Sequence, residues 1–189
     1  MVAKLFLSSL IVFLSYCSAS EVIHLHTPDL SNEKIIAYST GLRPYRKTGI
    51  RLEAEEIGDK LVIHDYGHGG AGISLSWGCA QEAINILKTH ISTPCPVAII
   101  GAGVIGLTTA HLLKDQGYDV TIYADKFVPF TTSSKAAGLF SPNFAVGGMP
   151  EDVILRLKSC SYVKFYNLAH NIDNEFQGVF LLPSYSEKN

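Results

Sequence analysis

An α/β fold with a parallel sheet is what this sequence predicts, and three observations predict it. Val97-Ala98-Ile99-Ile100 is a continuous apolar run of strand length. Gly101-Ala102-Gly103-Val104-Ile105-Gly106 follows at once as a glycine-rich turn, opening a helical stretch over Leu107–Gln116 that Gly117 caps. Val120-Thr121-Ile122-Tyr123 then reads as a second strand, with Asp125 just beyond it. Strand, glycine turn, helix and strand in this order form a parallel crossover, the connection that needs a helix between its strands.

Elements before this unit are read in chain order. Lys4, the apolar run Leu5–Tyr16 and the small residues Ser18, Ala19 and Ser20 predict a secretory signal peptide over residues 1–20, hence an exported protein, periplasmic or secreted. The run is shorter than the ~20 residues of a membrane span. A lipoprotein reading at Cys17 is disfavoured by bulky Tyr16. His24 and His26 alternate in an N-terminal segment, 21–37, with no third ligand near them, so an ordinary strand is the better reading. Ile35–Tyr38, Ile50–Glu53 and Leu61–His64 have strand composition, with Gly58-Asp59 as a turn. The loop Gly67-His68-Gly69-Gly70-Ala71-Gly72 leads into Ile73, Trp77, Ala80, Ile84 and Leu87, whose spacing predicts a helix over residues 73–90.

Residues 91–96, with Pro94 and Pro96, read as a linker. Beyond Pro150, the spacing of Ile154, Leu157, Ser161, Phe165 and Leu168 predicts another helix, and Val179–Leu182 a last strand. Cys79, Cys95 and Cys160 lack metal-ligand spacing and are expected as buried small hydrophobes. With 47% apolar residues, 17% charged residues and a net charge of -2 over 189 residues, the chain has the composition of a globular domain. It shows no basic excess that would draw nucleic acid.

The glycine pattern alone is common, but here every part of its context is present. The fold is therefore read as Rossmann-like. Gly101, Gly103, Val104, Ile105 and Gly106 let the backbone and the helix N-terminus approach a pyrophosphate, and Asp125 can accept hydrogen bonds from a ribose hydroxyl pair. This pattern does not separate NAD from FAD.

The residues around it do so by resemblance. Tyr123-Ala124-Asp125-Lys126-Phe127, Thr131-Thr132-Ser133-Ser134 and Ala136-Ala137-Gly138-Leu139 resemble the FAD-binding segment of the D-amino-acid oxidase family. The resemblance implies that Asp125 and Lys126 hold the adenosine ribose. It places Thr131, Thr132 and Ser133 along the pyrophosphate and Ala137, Gly138 and Leu139 beside the flavin ring. Taken alone, the Thr-Ser run would be an ordinary polar loop.

Upstream, Gly41-Leu42-Arg43-Pro44-Tyr45-Arg46 and His64-Asp65-Tyr66-Gly67-His68-Gly69-Gly70-Ala71-Gly72-Ile73-Ser74, with Trp77-Gly78-Cys79, are similar to the C-terminal signature of the same family. There the arginine clamps the substrate carboxylate and the glycine loop binds the flavin ring edge and ribityl chain. Arg43 takes the first role, and Gly69, Gly70, Ala71, Gly72, Ile73 and Ser74 the second. An arginine fork suits bidentate carboxylate binding, though a lone arginine would ordinarily be a surface residue. Arg46, Arg51 and His68 are expected to be structural. Asp65 stands where the family has asparagine, adding a charge beside the loop.

In the family this block comes last, so the order 38–90, linker 91–96, Rossmann FAD-binding block 97–150 looks like a circular permutation. Residues 151–189 are then the start of a substrate domain that is incomplete here. The resemblance implies an FAD-dependent oxidase converting D-amino acids to 2-oxo acids, ammonia and hydrogen peroxide, with a small-molecule amino-acid substrate and no catalytic base nominated. The alternative is a non-catalytic FAD-binding fragment that needs a partner chain carrying the missing domain. A nicotinamide-dependent dehydrogenase fits the GxGxxG but leaves the loop at 67–72 and the Thr-Ser run without a role.

Overall fold

The computed structural model describes residues 27, 29–140 and 147–182. The expected signal peptide, Cys17, His24 and His26 lie outside them. The chain divides into two units, Met1–Tyr38 and Ser39–Asn189. Among the described residues of the first unit, a short 3-10 turn spans Asn32–Lys34, preceded by a hydrogen bond from the Ser31 N–H to Asp29 Oδ1 at 3.0 Å.

The second unit is mixed α/β. Strands β1 (Arg51–Ile57) and β2 (Lys60–Tyr66) form an antiparallel hairpin in which Ile57 faces Lys60 and Arg51 faces Tyr66. Its tight turn runs through Gly58, whose φ of +63° suits glycine. Helix α1 (Gly72–His90) follows, then β3 (Pro96–Ile100), α2 (Val104–Asp115), β4 (Asp119–Tyr123), a 3-10 turn at Ser133–Lys135 and α3 (Glu151–Ala169). β3 and β4 pair in parallel, Val97 beside Val120 and Ile99 beside Ile122, as the crossover pattern requires.

Helix α1 organises the core. Its C-terminal half, through Ile84 and Leu87, meets Leu113 and Tyr118 together with Leu61, Ile63, Val97, Ile99 and Val120. Its N-terminal half, through Leu75 and Cys79, meets Ile50, Ala71 and Leu157. Seven consecutive residues, Ser74 to Ala80, are buried, which an amphipathic stripe alone does not predict. Small residues on this stretch let α3 come close: a Cβ at Gly78 would overlap the Leu157 carbonyl oxygen, and the Gly78 N–H donates to Ser161 Oγ at 2.8 Å.

The end of α2 follows the glycine rule. Gly117 has φ +84°, its N–H donates to Lys114 O and that of Tyr118 to Leu113 O, while Tyr118 and Leu113 share a core cluster. This is a Schellman ending with its apolar contact.

Several expectations are corrected. Helix α2 begins at Val104 rather than Leu107, so the glycine turn closes sooner. Strand β3, although its sequence is a continuous apolar run, is covered on one face only, because helices pack against Val97 and Ile99 while Ile100 remains 82% exposed. Ile35–Tyr38 and Val179–Leu182 form no strand among the described residues. Their side chains are largely exposed, and among the described residues neither run has the neighbouring strand that a ladder needs. Of the cysteines, Cys79 is buried, Cys95 half-buried and Cys160 exposed, since Cys160 lies off the α3 face that carries Leu157, Ser161 and Leu168. No helix among the described residues is long and apolar enough to cross a membrane.

Candidate functional site

Two helix N-termini meet at the site. α1 starts at Gly72 and α2 at Val104, and a Cβ added at Gly72 would lie 3.8 Å from Val104 Cγ1. Each N-terminus presents backbone N–H groups without intrahelical partners and the positive end of a helix dipole. Two such ends side by side suit an anionic or electron-rich ligand.

Around the α2 end, Gly101 has φ +113° and its N–H donates to Tyr123 O at 2.7 Å, which holds the ends of β3 and β4 level. Asp125 and Lys126 lie two and three residues beyond Tyr123 and are exposed. Gly106 needs its missing side chain, since a Cβ there would overlap the Gly101 carbonyl oxygen. The glycine therefore sets how closely the helix approaches the turn. Gly103 and Ile105 are half-buried beside it.

The hydroxyl run comes back onto this turn. Ser133 Oγ accepts a hydrogen bond from the Val104 N–H at 2.9 Å and would lie 3.2 Å from a Cβ at Gly103. Thr132 is exposed beside it. Thr131 is buried and its hydroxyl lies 2.9 Å from Ser134 Oγ, so it braces the turn from within. Ser133 is thus the member of the run that reaches the helix N-terminus.

The α1 end is built from the upstream glycine loop. Gly67 and Gly69 have φ +90° and +60°, conformations that let the chain double back before the helix starts. The segment carrying Arg43 is pinned to this loop by an antiparallel bridge between Tyr45 and His68 and by the Gly69 N–H donating to Pro44 O at 3.1 Å. The Arg43 guanidinium consequently lies on Gly70, where a Cβ would overlap Nη1. Arg43 is exposed, and its guanidinium makes no hydrogen bond or ion pair among the described residues.

The two halves are tied together at two points. Ser74 Oγ donates to Leu139 O at 3.4 Å, a long bond that sets Ala137, Gly138 and Leu139 beside the start of α1. A Cβ at Gly41 would lie 3.1 Å from Lys135 Cβ, so the strand of chain before Arg43 runs past the hydroxyl turn. Ala71 is buried and Ile73 half-buried, packing the loop rather than facing outward.

Arg46 and Arg51 are structural, as expected. Arg46 Nη1 donates to Gly49 O at 3.1 Å. Arg51 ties the hairpin together, reaching Glu53 Oε1 at 2.6 Å, Glu55 Oε2 at 2.7 Å and the Tyr66 hydroxyl at 3.2 Å. The Arg51 and His64 hydrogen bonds hold the Glu55 carboxyl below its ordinary value.

Sequence reasoning missed one cluster. Asp65, His68 and Cys79 bring a carboxylate oxygen, a ring nitrogen and a sulfur within 4.8 Å of one another under the glycine loop. Burial and the nearby Asp65 carboxylate push the Cys79 thiol well up from its ordinary value. The Asp-x-x-His spacing was visible, but only the fold places Cys79 beneath it.

Residues 96–189 match the family model described as FAD dependent oxidoreductase. The chain is 46% identical over 77 residues to a D-amino-acid oxidase of Rubrobacter xylanophilus, a match covering 40% of this chain and 22% of that protein. It is 55% identical over 56 residues to a D-amino-acid oxidase of Dictyostelium discoideum, covering 29% and 16%. A human D-aspartate oxidase matches at 41% over 90 residues, 44% of this chain and 24% of the relative. The matches thus span about a quarter or less of these curated relatives. No solved structure matches significantly. The family match starts at residue 96, so the block at 38–90 lies outside it.

Proposed function

From the premise that residues 96–189 belong to the FAD-dependent oxidoreductase family, with FAD as cofactor, we propose that the protein oxidises D-amino acids to 2-oxo acids, releasing ammonia and hydrogen peroxide. The observation that carries this reading is the seat of Arg43 on Gly70, which sets a planar fork with no partner among the described residues two residues before the N-terminus of α1. Bound FAD would supply a hydride acceptor for the substrate α-carbon and a route for the electrons to oxygen.

The chain's own residues bind and orient. Gly103 and Gly106 offer backbone to the pyrophosphate at the helix start that Val104 opens, Ser133 a hydroxyl whose oxygen already holds the Val104 N–H, and Asp125 with Lys126 an acidic-basic pair for the adenosine ribose. Thr132 adds a second hydroxyl at the turn, with Thr131 fixing its shape. Gly69, Gly70, Gly72, Ser74 and Leu139 form the wall for the flavin ring, and Ala71 and Ile73 hold that wall from beneath. Arg43 would grip the substrate carboxylate with two parallel N–H donors and so fix which face of the α-carbon is presented. No side chain is assigned as a base, because positioning supplies what hydride transfer asks of the protein.

Export directed by residues 1–20 belongs to the same proposal, as does the permuted order in which 38–90 supplies the substrate clamp and half the flavin wall. Both are read from the sequence. The matched residues span about a fifth of a curated relative's length, so the activity of the whole protein belongs to this proposal.

The test is the visible spectrum of the purified chain with FAD, followed by D-alanine or D-aspartate without oxygen. Bound flavin that bleaches supports the oxidase. Bound flavin that stays yellow with either substrate makes the chain an FAD-binding domain without catalysis. An absence of bound flavin removes the proposal for this chain.

A further inference from the structure

Beneath the glycine loop, three side chains of metal-ligating type meet with their polar atoms nearly sealed from solvent. His68 Nε2 lies 3.3 Å from Asp65 Oδ1 and 3.3 Å from Cys79 Sγ. The His68 and Asp65 side chains retain 2% and 10% of their exposure, and Cys79 is fully buried. Asp65 sits at the end of β2, His68 within the loop and Cys79 on the second turn of α1. Three different elements therefore converge on one point.

The Asp65 carboxylate is the unexplained member. Both of its oxygens are buried and neither accepts a directed hydrogen bond, although Oδ1 is within ion-pairing distance of the imidazole. A buried carboxylate left this way is costly. One Nε2–H cannot direct itself at both Asp65 and Cys79, and a thiol S–H is a weak donor, so among the described residues the buried Asp65 carboxylate has no strong directed donor.

We propose that Asp65 Oδ1, His68 Nε2 and Cys79 Sγ bind a divalent zinc-type cation. The spacing fits. Metal–nitrogen and metal–oxygen bonds of about 2.0 Å and a metal–sulfur bond of about 2.3 Å, at tetrahedral angles, separate nitrogen from oxygen by about 3.3 Å and nitrogen from sulfur by about 3.5 Å. Charge fits as well. On binding, the Cys79 thiol releases its proton to solvent, so a carboxylate and a thiolate neutralise the cation while His68 stays neutral. Three protein ligands leave the fourth position to water. Such an ion would tie the end of β2, the loop and α1 together at the base of the Arg43 platform. The assignment does not depend on FAD or on oxidase activity.

The experiment uses the full chain with Cys17→Ser, Cys95→Ser and Cys160→Ser, which leaves Cys79 as its one thiol. Cobalt(II) is added both to folded protein and during refolding, because the site is closed. One equivalent should bind, with a thiolate-to-cobalt charge-transfer band and visible bands of tetrahedral strength, and zinc(II) should displace it. Asp65→Asn preserves shape and carries the discriminating measurement. It should weaken zinc binding by no less than the roughly 10- to 100-fold that loss of an outer-shell partner costs. Folded protein that shows no charge-transfer band by either loading route overturns the proposal. So does a zinc affinity that Asp65→Asn leaves unchanged.

Discussion

Ser133 Oγ accepts the hydrogen bond of the Val104 N–H at 2.9 Å, so the first exposed donor of α2 is met by a hydroxyl from a turn 29 residues further on. No residue adjacent to the helix provides this: Gly103 occupies the N-cap and has no side chain. A glycine at this position thus removes the ordinary cap, and Ser133 restores it from a distance. Ser133→Ala should lower the stability of the FAD-free protein by about 1 kcal/mol, the usual cost of a lost N-cap. Urea unfolding without added FAD measures it, and an unchanged midpoint would remove Ser133 from this role.

Besides the packing of Leu75 and Cys79 on Leu157, the close approach of α3 to α1 depends on Gly78 and Ser161. Gly78→Ala drives a methyl into the Leu157 carbonyl oxygen, and backbone cannot swing aside as a side chain can. A loss of about 1–3 kcal/mol is expected from such overpacking. Ser161→Ala removes the acceptor of the Gly78 N–H and should cost about 1 kcal/mol. Denaturant titration of both variants should therefore rank Gly78→Ala as the more damaging. The reverse order would mean that α3 yields readily.

Acid should loosen the hairpin before the core. The Arg51 hydrogen bond, aided by that of His64, depresses the Glu55 carboxyl in the folded state. A depressed acid stabilises above its unfolded value, and that contribution disappears as pH falls through the folded value. The protein should hold this term at neutral pH and lose it below the ordinary carboxylate range. Because Arg51 and Glu55 retain 25% and 44% of their side-chain exposure, the effect is small and should shrink in high salt. Thermal melts of wild type and Glu55→Gln across pH, at low and high salt, check it; curves that stay parallel down the acid limb would exclude the hairpin as a source.

What was legible in the sequence was what local chemistry decides. The β3–α2–β4 unit could be read because glycine, apolar run and helix period all agree at each position from Val97 to Tyr123. Ile35–Tyr38 and Val179–Leu182 misled because an apolar run states a wish to be covered and cannot state whether a partner strand exists. The site divides in the same way. Glycines and Arg43 were visible as motifs, while the bond from Ser133 to Val104 and the meeting of Asp65, His68 and Cys79 depend on long-range folding. The helical spacing gives Ser161 a place on one face of α3, and only the packed fold shows that it serves a backbone N–H on α1.

Gly70 separates the fold from the proposed substrate clamp. Its φ is not in the left-handed region, so alanine fits the backbone there, and what a new Cβ meets is Nη1 of Arg43, the far end of a flexible side chain. Gly70→Ala should thus leave stability within about 0.5 kcal/mol while turning the Arg43 fork away from the loop. If Arg43 grips a carboxylate, Gly70→Ala should raise the D-amino-acid concentration needed to reduce bound flavin, and Arg43→Lys should do the same, since a lysine lacks the planar pair of donors. Flavin bleaching against substrate concentration measures both. A Gly70→Ala protein that matches wild type while Arg43→Lys fails would show that the arginine acts from another position than the one it holds on Gly70.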